Sequence, residues 1–144
     1  MAKSIKWLGH AAFMINTAQD KTILIDPFIT GNPACPITKD DITKANLILV
    51  THDHFDHAGD AVDIAKKTGA TLVAQPETSA RFMSELGLPA ERVPHFSQGM
   101  NIGATAVFDG ITVTMTQAFH ASQTISGQVD SSAGLSLTPS WLTP

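Results

Sequence analysis

The stretch that decides the fold reads Leu47-Ile48-Leu49-Val50-Thr51-His52-Asp53-His54-Phe55-Asp56-His57. Its first four residues are apolar on both faces, as is typical of a parallel strand covered by two layers. A helix is predicted directly after it, because small apolar residues recur at helical spacing from Ala58 to Ala65 and Gly69 is placed as a C-cap. Polar side chains that can bind metal therefore stand at the carboxyl end of a buried strand, where open α/β sheets place their ligands.

Residues 52–57 contain four side chains that can bind a metal ion, namely His52, His54, Asp56 and His57. Asp56 alone could serve as a helix cap, but a cap does not explain three of the chain's six histidines within six positions. In a turn, side chains two positions apart can converge on one ion, while Asp56 and His57 face a neighbouring one. Imidazole and carboxylate ligands suit zinc, and also manganese or iron. The sequence therefore predicts a divalent-metal centre, with zinc as the first choice.

The other elements predict an α/β fold. Strands are expected before and after the histidine cluster, over 5–8, 11–15, 22–25 and 71–74, and a helix over 77–86. A loop rich in glycine and proline is expected over 28–36. Apolar and polar side chains alternate within 105–119 around Asp109-Gly110, which predicts a β-hairpin that delivers His120 at its end.

Two further histidines and one aspartate are candidates for the site. His120 ends an alternating strand and is predicted to be a metal ligand rather than an ordinary strand-end histidine. His10 lies between the first two strands, and is either near the site or a turn histidine bonded to backbone. Asp26 closes a buried strand, and either hydrogen-bonds a metal-binding histidine or caps the chain before Pro27. No catalytic role is expected for Cys35.

Composition indicates an ordinary globular protein and excludes some partners. The 144 residues are 43% hydrophobic and 15% charged, as in typical folded domains. The net charge of −4, without a Lys/Arg cluster, argues against nucleic acid as a partner. No run approaches the ~20 apolar residues of a membrane helix, and the N-terminal residues lack the apolar run of a signal peptide. The single cysteine excludes an intrachain disulfide. A cytoplasmic protein with no membrane association and a small-molecule substrate is expected.

The histidine motif and three flanking motifs resemble a known family. His-x-His-x-Asp-His after an apolar strand is the signature of the metallo-β-lactamase superfamily. The match is extended by Trp7-Leu8-Gly9-His10, Leu24-Ile25-Asp26-Pro27-Phe28 and Asp109-Gly110-Ile111-Thr112-Val113. Together these motifs resemble the branch of uncharacterised metal-dependent hydrolases related to the ascorbate-6-phosphate lactonases. The resemblance runs from about Lys6 to about His120.

The resemblance implies an αββα sandwich, here mainly its N-terminal half, with up to two metal ions between the sheets. His52 and His54 would hold the first ion with His120 as third ligand, and Asp56 and His57 would hold the second. A water shared by the two metals would attack an ester, lactone or phosphodiester. Asp56 would be the catalytic residue, because it would orient that water as well as bind metal.

The family pattern is incomplete after His120. Complete members have two more ligands, an aspartate that bridges both metals and a late histidine. This sequence has no later histidine and one later acid, Asp130, to which the bridging role is not transferred. Residues 1–120 are therefore interpreted as an incomplete metallo-β-lactamase-like domain, and 121–144 as an atypical Ser/Thr-rich tail. Two hypotheses follow: a metal-dependent hydrolase, or a truncated, non-catalytic fragment that binds metal or self-associates as a homo-oligomer.

Overall fold

A five-stranded sheet forms the centre of the fold. The computed structural model describes residues 1–94 and 99–118. Within them the strands of this sheet lie side by side in chain order: β1 (Ala2–Trp7), β2 (Phe13–Thr17), β3 (Thr22–Ile25), β4 (Leu47–Leu49) and β5 (Thr71–Val73). The first three strands pair antiparallel, and β3, β4 and β5 pair parallel. The carboxyl ends of the parallel strands therefore meet at one end of the sheet, where the histidine cluster begins.

Helices cover one face of this sheet. They are α1 (Phe55–Ala58), α2 (Ala61–Thr68) and α3 (Pro76–Ser84), with 3-10 turns over Lys39–Asp41 and Ala90–Arg92. Gly69 ends α2 in the left-handed conformation, with φ of 77°. Large buried side chains fill the space between sheet and helices, among them Leu24, Ile48, Ile64, Leu72 and Phe82. None of the described helices combines the length and the apolar composition needed to cross a bilayer.

The second face of the sheet is partly covered by a β-hairpin, β6 (Thr105–Phe108) and β7 (Ile111–Thr114). Its turn, Asp109-Gly110, has φ values of 50° and 81°, a combination that two-residue hairpin turns favour. Apolar side chains of the hairpin pack against Leu47 and Val73. Helices, five-stranded sheet and hairpin stack as three layers, so the α/β fold class is confirmed.

The bounds predicted for the helix after the histidine cluster are wrong. It is two helices, α1 and α2, separated at Gly59-Asp60, and the first begins inside the cluster at Phe55. The break has a long-range cause. The Asp60 backbone N–H donates to the Pro27 carbonyl (3.1 Å), and the Asp60 carboxylate accepts from the backbone N–H groups of Ile29 and Thr30. These partners hold residue 60 outside the hydrogen-bonding pattern of a continuous helix.

Two strands differ from their predicted bounds. β2 begins at Phe13 rather than at residue 11, because the Ala12 N–H donates to the Gly9 carbonyl (3.0 Å) and closes a tight turn. β7 ends at Thr114, and residue 119, the predicted end of that strand, lies outside the described residues. The division predicted at residue 120, with the tail beyond it, also lies outside them and stays a prediction.

Candidate metal centre

The histidine cluster lies in the loop that joins β4 to α1. The Val50 N–H donates to the Val73 carbonyl (2.9 Å), which extends the parallel pairing to the point where the loop leaves the sheet. His54 is the N-cap residue of α1, and its carbonyl accepts a hydrogen bond from the His57 N–H at 3.0 Å. The end of a strand and the first turn of a helix therefore fix both ends of the cluster.

Ring nitrogens of His52 and His54 lie within hydrogen-bond distance of each other. Nε2 of His52 and Nδ1 of His54 are 3.0 Å apart, and the two ring centroids are 4.6 Å apart. His57 lies beside them, with its ring centroid 4.0 Å from that of His52. Three imidazoles of the motif thus lie together in one half-buried group.

The carboxylate of Asp26 forms hydrogen bonds with this group and with the loop that carries it. The residue is only 2% exposed. It accepts hydrogen bonds from the Thr51 N–H (2.8 Å), the Thr51 hydroxyl (2.7 Å) and Nδ1 of His57 (2.8 Å). Because His57 donates its Nδ1 hydrogen to the carboxylate, its Nε2 atom retains the lone pair that a metal would bind.

Asp26 also orients His52, through Thr51. The Thr51 hydroxyl lies 2.7 Å from an Asp26 oxygen and 3.0 Å from Nδ1 of His52. A hydroxyl has one hydrogen and a carboxylate can only accept, so the hydroxyl donates to Asp26 and accepts from His52. The His52 hydrogen is therefore on Nδ1, and its Nε2 lone pair faces His54. One buried carboxylate sets the tautomers of two motif histidines.

His10 reaches the cluster from the turn between β1 and β2. Its Nε2 atom is 3.1 Å from an Asp56 carboxylate oxygen, and its ring centroid is 5.0 Å from that of His57. The ligand atoms of His10, Asp56 and His57 lie within 4.8 Å of one another. The structure therefore places the His10 side chain beside Asp56 and His57, and its part in a metal site stays a prediction.

An ion pair behind the cluster was not predicted from the sequence. Arg81 of α3 lies 3.5 Å from an Asp53 oxygen, and the two side chains are only 19% and 12% exposed. Because Asp53 stands between His52 and His54, the pair ties the histidine loop to α3. The one sequence signal was an acid at the variable position between two motif histidines, and its partner 28 positions away is brought close only by the tertiary fold.

A cavity of about 480 Å³ opens beside Asp56. The rings of Phe28 and Phe55 meet edge to face, with centroids 5.9 Å apart, and line part of it. His10 and loop residues 31–34 line the remainder. Phe55 is 73% exposed, so a large apolar surface is exposed to solvent next to the Asp56 carboxylate. This combination can bind a small molecule with an apolar part and a polar reacting group.

A second buried carboxylate, Asp60, holds the loop that lines this cavity. It accepts from the Ile29 N–H (2.8 Å), the Thr30 N–H (2.7 Å) and the Thr30 hydroxyl (2.8 Å), and lies 3.5 Å from the Lys39 ammonium. Burial alone raises the pKa of the Asp60 carboxyl. The hydrogen bonds from Thr30 and Ile29 and the charge of Lys39 outweigh burial, so the pKa lies below its ordinary value of 3.8.

The donor set fits a divalent cation. Four imidazoles and the Asp56 carboxylate meet at one end of the sheet, and the hydrogen bonds of Asp26 and Thr51 fix the orientation of the His57 and His52 rings. Imidazole nitrogen and carboxylate oxygen are the usual ligands of zinc, and also of manganese and iron. His120, the predicted third ligand of the first ion, and Asp130 lie outside the described residues, so their assignments stay predictions.

Comparison with known proteins identifies the family. A family model described as "Beta-lactamase superfamily domain" matches residues 21–141. The chain belongs to the beta-lactamase superfamily. Among curated relatives of this superfamily member, a UPF0173 metal-dependent hydrolase of Nitratidesulfovibrio vulgaris is 46% identical over 123 residues, 85% of this chain and 50% of the relative. Another, of Pyrobaculum islandicum, is 48% identical over 120 residues, 81% and 50% of the two chains. The chain spans about half the length of the curated relatives it matches.

Solved structures show the same fold. Igni18, a metallo hydrolase of Ignicoccus hospitalis, matches with a TM-score of 0.69 and 33% identity over 82% of this chain and 49% of that one. The metallo-β-lactamase SMB-1 matches with a TM-score of 0.52 and 19% identity over 75% and 48% of the two chains, a likeness in fold alone. The superfamily member has the metallo-β-lactamase fold and covers the N-terminal portion of its homologues, as the resemblance implied. The relation to ascorbate-6-phosphate lactonases stays a prediction.

Proposed function

We propose that this superfamily member is a metal-dependent hydrolase of small molecules, with metal ligands His52, His54, Asp56, His57 and His120. The observation that carries the proposal is the convergence of imidazoles and a carboxylate at the carboxyl end of β4, with ring tautomers set by a buried carboxylate. Relatives that share nearly half of the aligned residues are named metal-dependent hydrolases, which supports the same reaction class.

Zinc is the proposed ion, with up to two ions in the site. His52 and His54 would hold one of them together with His120, and Asp56 and His57 would hold the other. The same ligands accept manganese or iron, so the choice of zinc rests on its general preference for imidazole and carboxylate. A bound divalent cation activates water and polarises the bond to be cleaved.

Asp56 is the proposed catalytic residue. Its carboxylate borders the cavity, so it can accept a hydrogen bond from the attacking water and direct that water toward a bound substrate. Phe28 and Phe55 would contact the apolar part of the substrate. We propose an ester, lactone or phosphodiester as the bond cleaved. The net charge of −4 disfavours nucleic acid as the substrate, and a cytoplasmic location stays a prediction.

Removal and return of metal test this function. Chelator-treated protein should lose hydrolysis of a panel of nitrophenyl esters, lactones and a nitrophenyl phosphodiester, and Zn²⁺ or Mn²⁺ should restore it. The double variant His52→Ala/His54→Ala should lose about a hundredfold or more of this turnover, because it removes two proposed ligands. Lys67→Ala, at the far end of α2, is the control that should keep it. Turnover that survives the chelator, or full activity in the double variant, would overturn the proposal.

A second candidate, a non-catalytic metal-binding protein that self-associates, is favoured by one observation. Cross-strand pairing places two apolar rows on the second face of the sheet: Ile5, Ile15, Ile23 and Leu47, and Trp7, Phe13, Ile25 and Leu49. The hairpin covers the β4 and β5 end of these rows. Ile5 and Trp7 of the edge strand β1 are 65% and 58% exposed. Exposed apolar surface of this kind favours association, and in this candidate a second copy of the chain covers it.

A further inference from the structure

His10 lies in a group with Asp56 and His57. The two-ion arrangement proposed above assigns Asp56 and His57 as ligands and gives His10 no role. The ligand atoms of the three residues lie within 4.8 Å of one another, and Nε2 of His10 is 3.1 Å from Asp56. His57 gives its Nδ1 hydrogen to Asp26, so its Nε2 atom is the one available to an ion. We propose that His10 is a third protein ligand, which holds one divalent cation together with Asp56 and His57. This inference rests on the proposed function, because it takes Asp56 and His57 as metal ligands.

The backbone around His10 holds its ring in this position. Gly9 and His10 have φ values of 92° and 51°, a conformation that is unfavourable for residues with a Cβ atom. The Trp7 indole N–H donates to the His10 carbonyl at 2.9 Å. A Cβ atom on Gly9 would lie 2.9 Å from Ala34, so the turn is pressed against the loop that lines the cavity. Backbone strain persists where the surrounding structure imposes it, and it clusters at functional sites.

The alternative explanation is an ion pair between His10 and Asp56 without a metal. Their side chains are 45% and 33% exposed, and pairs with this much solvent contact contribute little to stability. Such a pair does not include His57, although the His57 ring lies 5.0 Å from that of His10. A shared cation accounts for the approach of all three side chains and for the strained turn.

Cobalt titration of His10 variants separates the two explanations. His10→Asn removes the imidazole, and asparagine tolerates a positive φ better than most residues. His10→Cys places a thiol at the same position, and a thiolate bound directly to Co²⁺ gives a charge-transfer absorption that other ligands do not give. The metal-free variants are first compared with wild type by thermal unfolding, which shows whether they fold. The metal-free proteins are then titrated with Co²⁺ and followed by visible and near-ultraviolet absorption.

The expected result is that His10→Asn weakens one Co²⁺-binding step by about tenfold or more, and that the charge-transfer band appears in His10→Cys alone. Wild-type Co²⁺ affinity at every step in folded His10→Asn would overturn the role of His10 and leave the proposed function standing. A wild-type protein that binds no Co²⁺ would overturn the proposed function and this inference with it. The wild-type spectrum also controls for the native thiol, Cys35.

Discussion

At the scale of single residues, Asp26 positions two of the proposed metal ligands without being one itself. It accepts a hydrogen bond from His57 directly and orients His52 through the Thr51 hydroxyl. Asp26→Asn should lower the affinity for Zn²⁺ by about 10- to 100-fold, the usual cost of losing a carboxylate that orients a ligand histidine. Asparagine tolerates the φ of 44° at this position, so the backbone should be retained. The affinity is measured by competition with a chromophoric chelator.

Thr51→Val provides the matched comparison for Asp26→Asn. It removes the hydroxyl that joins Asp26 to His52, and the hydrogen bond between Asp26 and His57 remains. Only the binding step that involves His52 should therefore weaken, whereas Asp26→Asn should weaken both steps. Equal Zn²⁺ affinities in wild type and Asp26→Asn would show that the tautomers of these rings are set by something other than this carboxylate.

At the scale of elements, the sequence predicts what depends on neighbouring residues and misses what depends on distant ones. The apolar run of β4 and the alternation around Asp109-Gly110 are local patterns, and these strands begin at the residues where they were predicted to begin. The break between α1 and α2 is not local, because Asp60 is drawn to the loop at Ile29 and Thr30, about thirty positions earlier. The contact between His10 and Asp56 is not local either, because the two residues are distant in the sequence and only the tertiary fold brings them together.

The break at Asp60 leads to a prediction about stability. Asp60→Asn should lower the free energy of unfolding at neutral pH by about 1–3 kcal/mol, because the charge is lost and an amide nitrogen would replace the oxygen that accepts from the Thr30 hydroxyl and faces the Lys39 ammonium. The folded-state pKa of Asp60 lies below its ordinary value. Its contribution is therefore present above the unfolded-state pKa of about 3.9, and is lost as the pH falls through the folded-state pKa. Thermal unfolding measured between about pH 3 and about pH 7 should show that the stability of Asp60→Asn falls less on acidification than the stability of wild type.

Asp63→Asn is the control for this comparison, because Asp63 also pairs with Lys39 (2.6 Å) and lies in the first turn of α2, the helix that begins directly after Asp60. Its side chain is 60% exposed, so its loss should change the unfolding free energy by less than about 0.5 kcal/mol. If the two variants unfold alike at every pH, the buried hydrogen bonds of Asp60 do not stabilise the loop at the cavity.

At the scale of the whole molecule, the described layers leave one face of the sheet covered at one end and exposed at the other. Ile5 of β1 is 65% exposed, although its cross-strand neighbours lead toward buried Ile23 and Leu47. If a second copy of the chain covers this face, Ile5→Lys should weaken self-association by about tenfold or more, because burial of an isoleucine side chain is worth about 1.5–3 kcal/mol. Sedimentation velocity over a range of protein concentrations measures the effect.

Val107→Lys tests whether the effect belongs to this face or to apolar exposure in general. Val107 is also 65% exposed, but it lies in β6, where the alternating burial directs its side chain away from the sheet. Association through the sheet face predicts that Val107→Lys self-associates like wild type while Ile5→Lys does not. Equal losses in both variants would indicate nonspecific contacts between apolar surfaces. A wild-type chain that stays monomeric at every concentration while it hydrolyses its substrate would exclude the non-catalytic candidate, because one copy would then carry a working site without a partner.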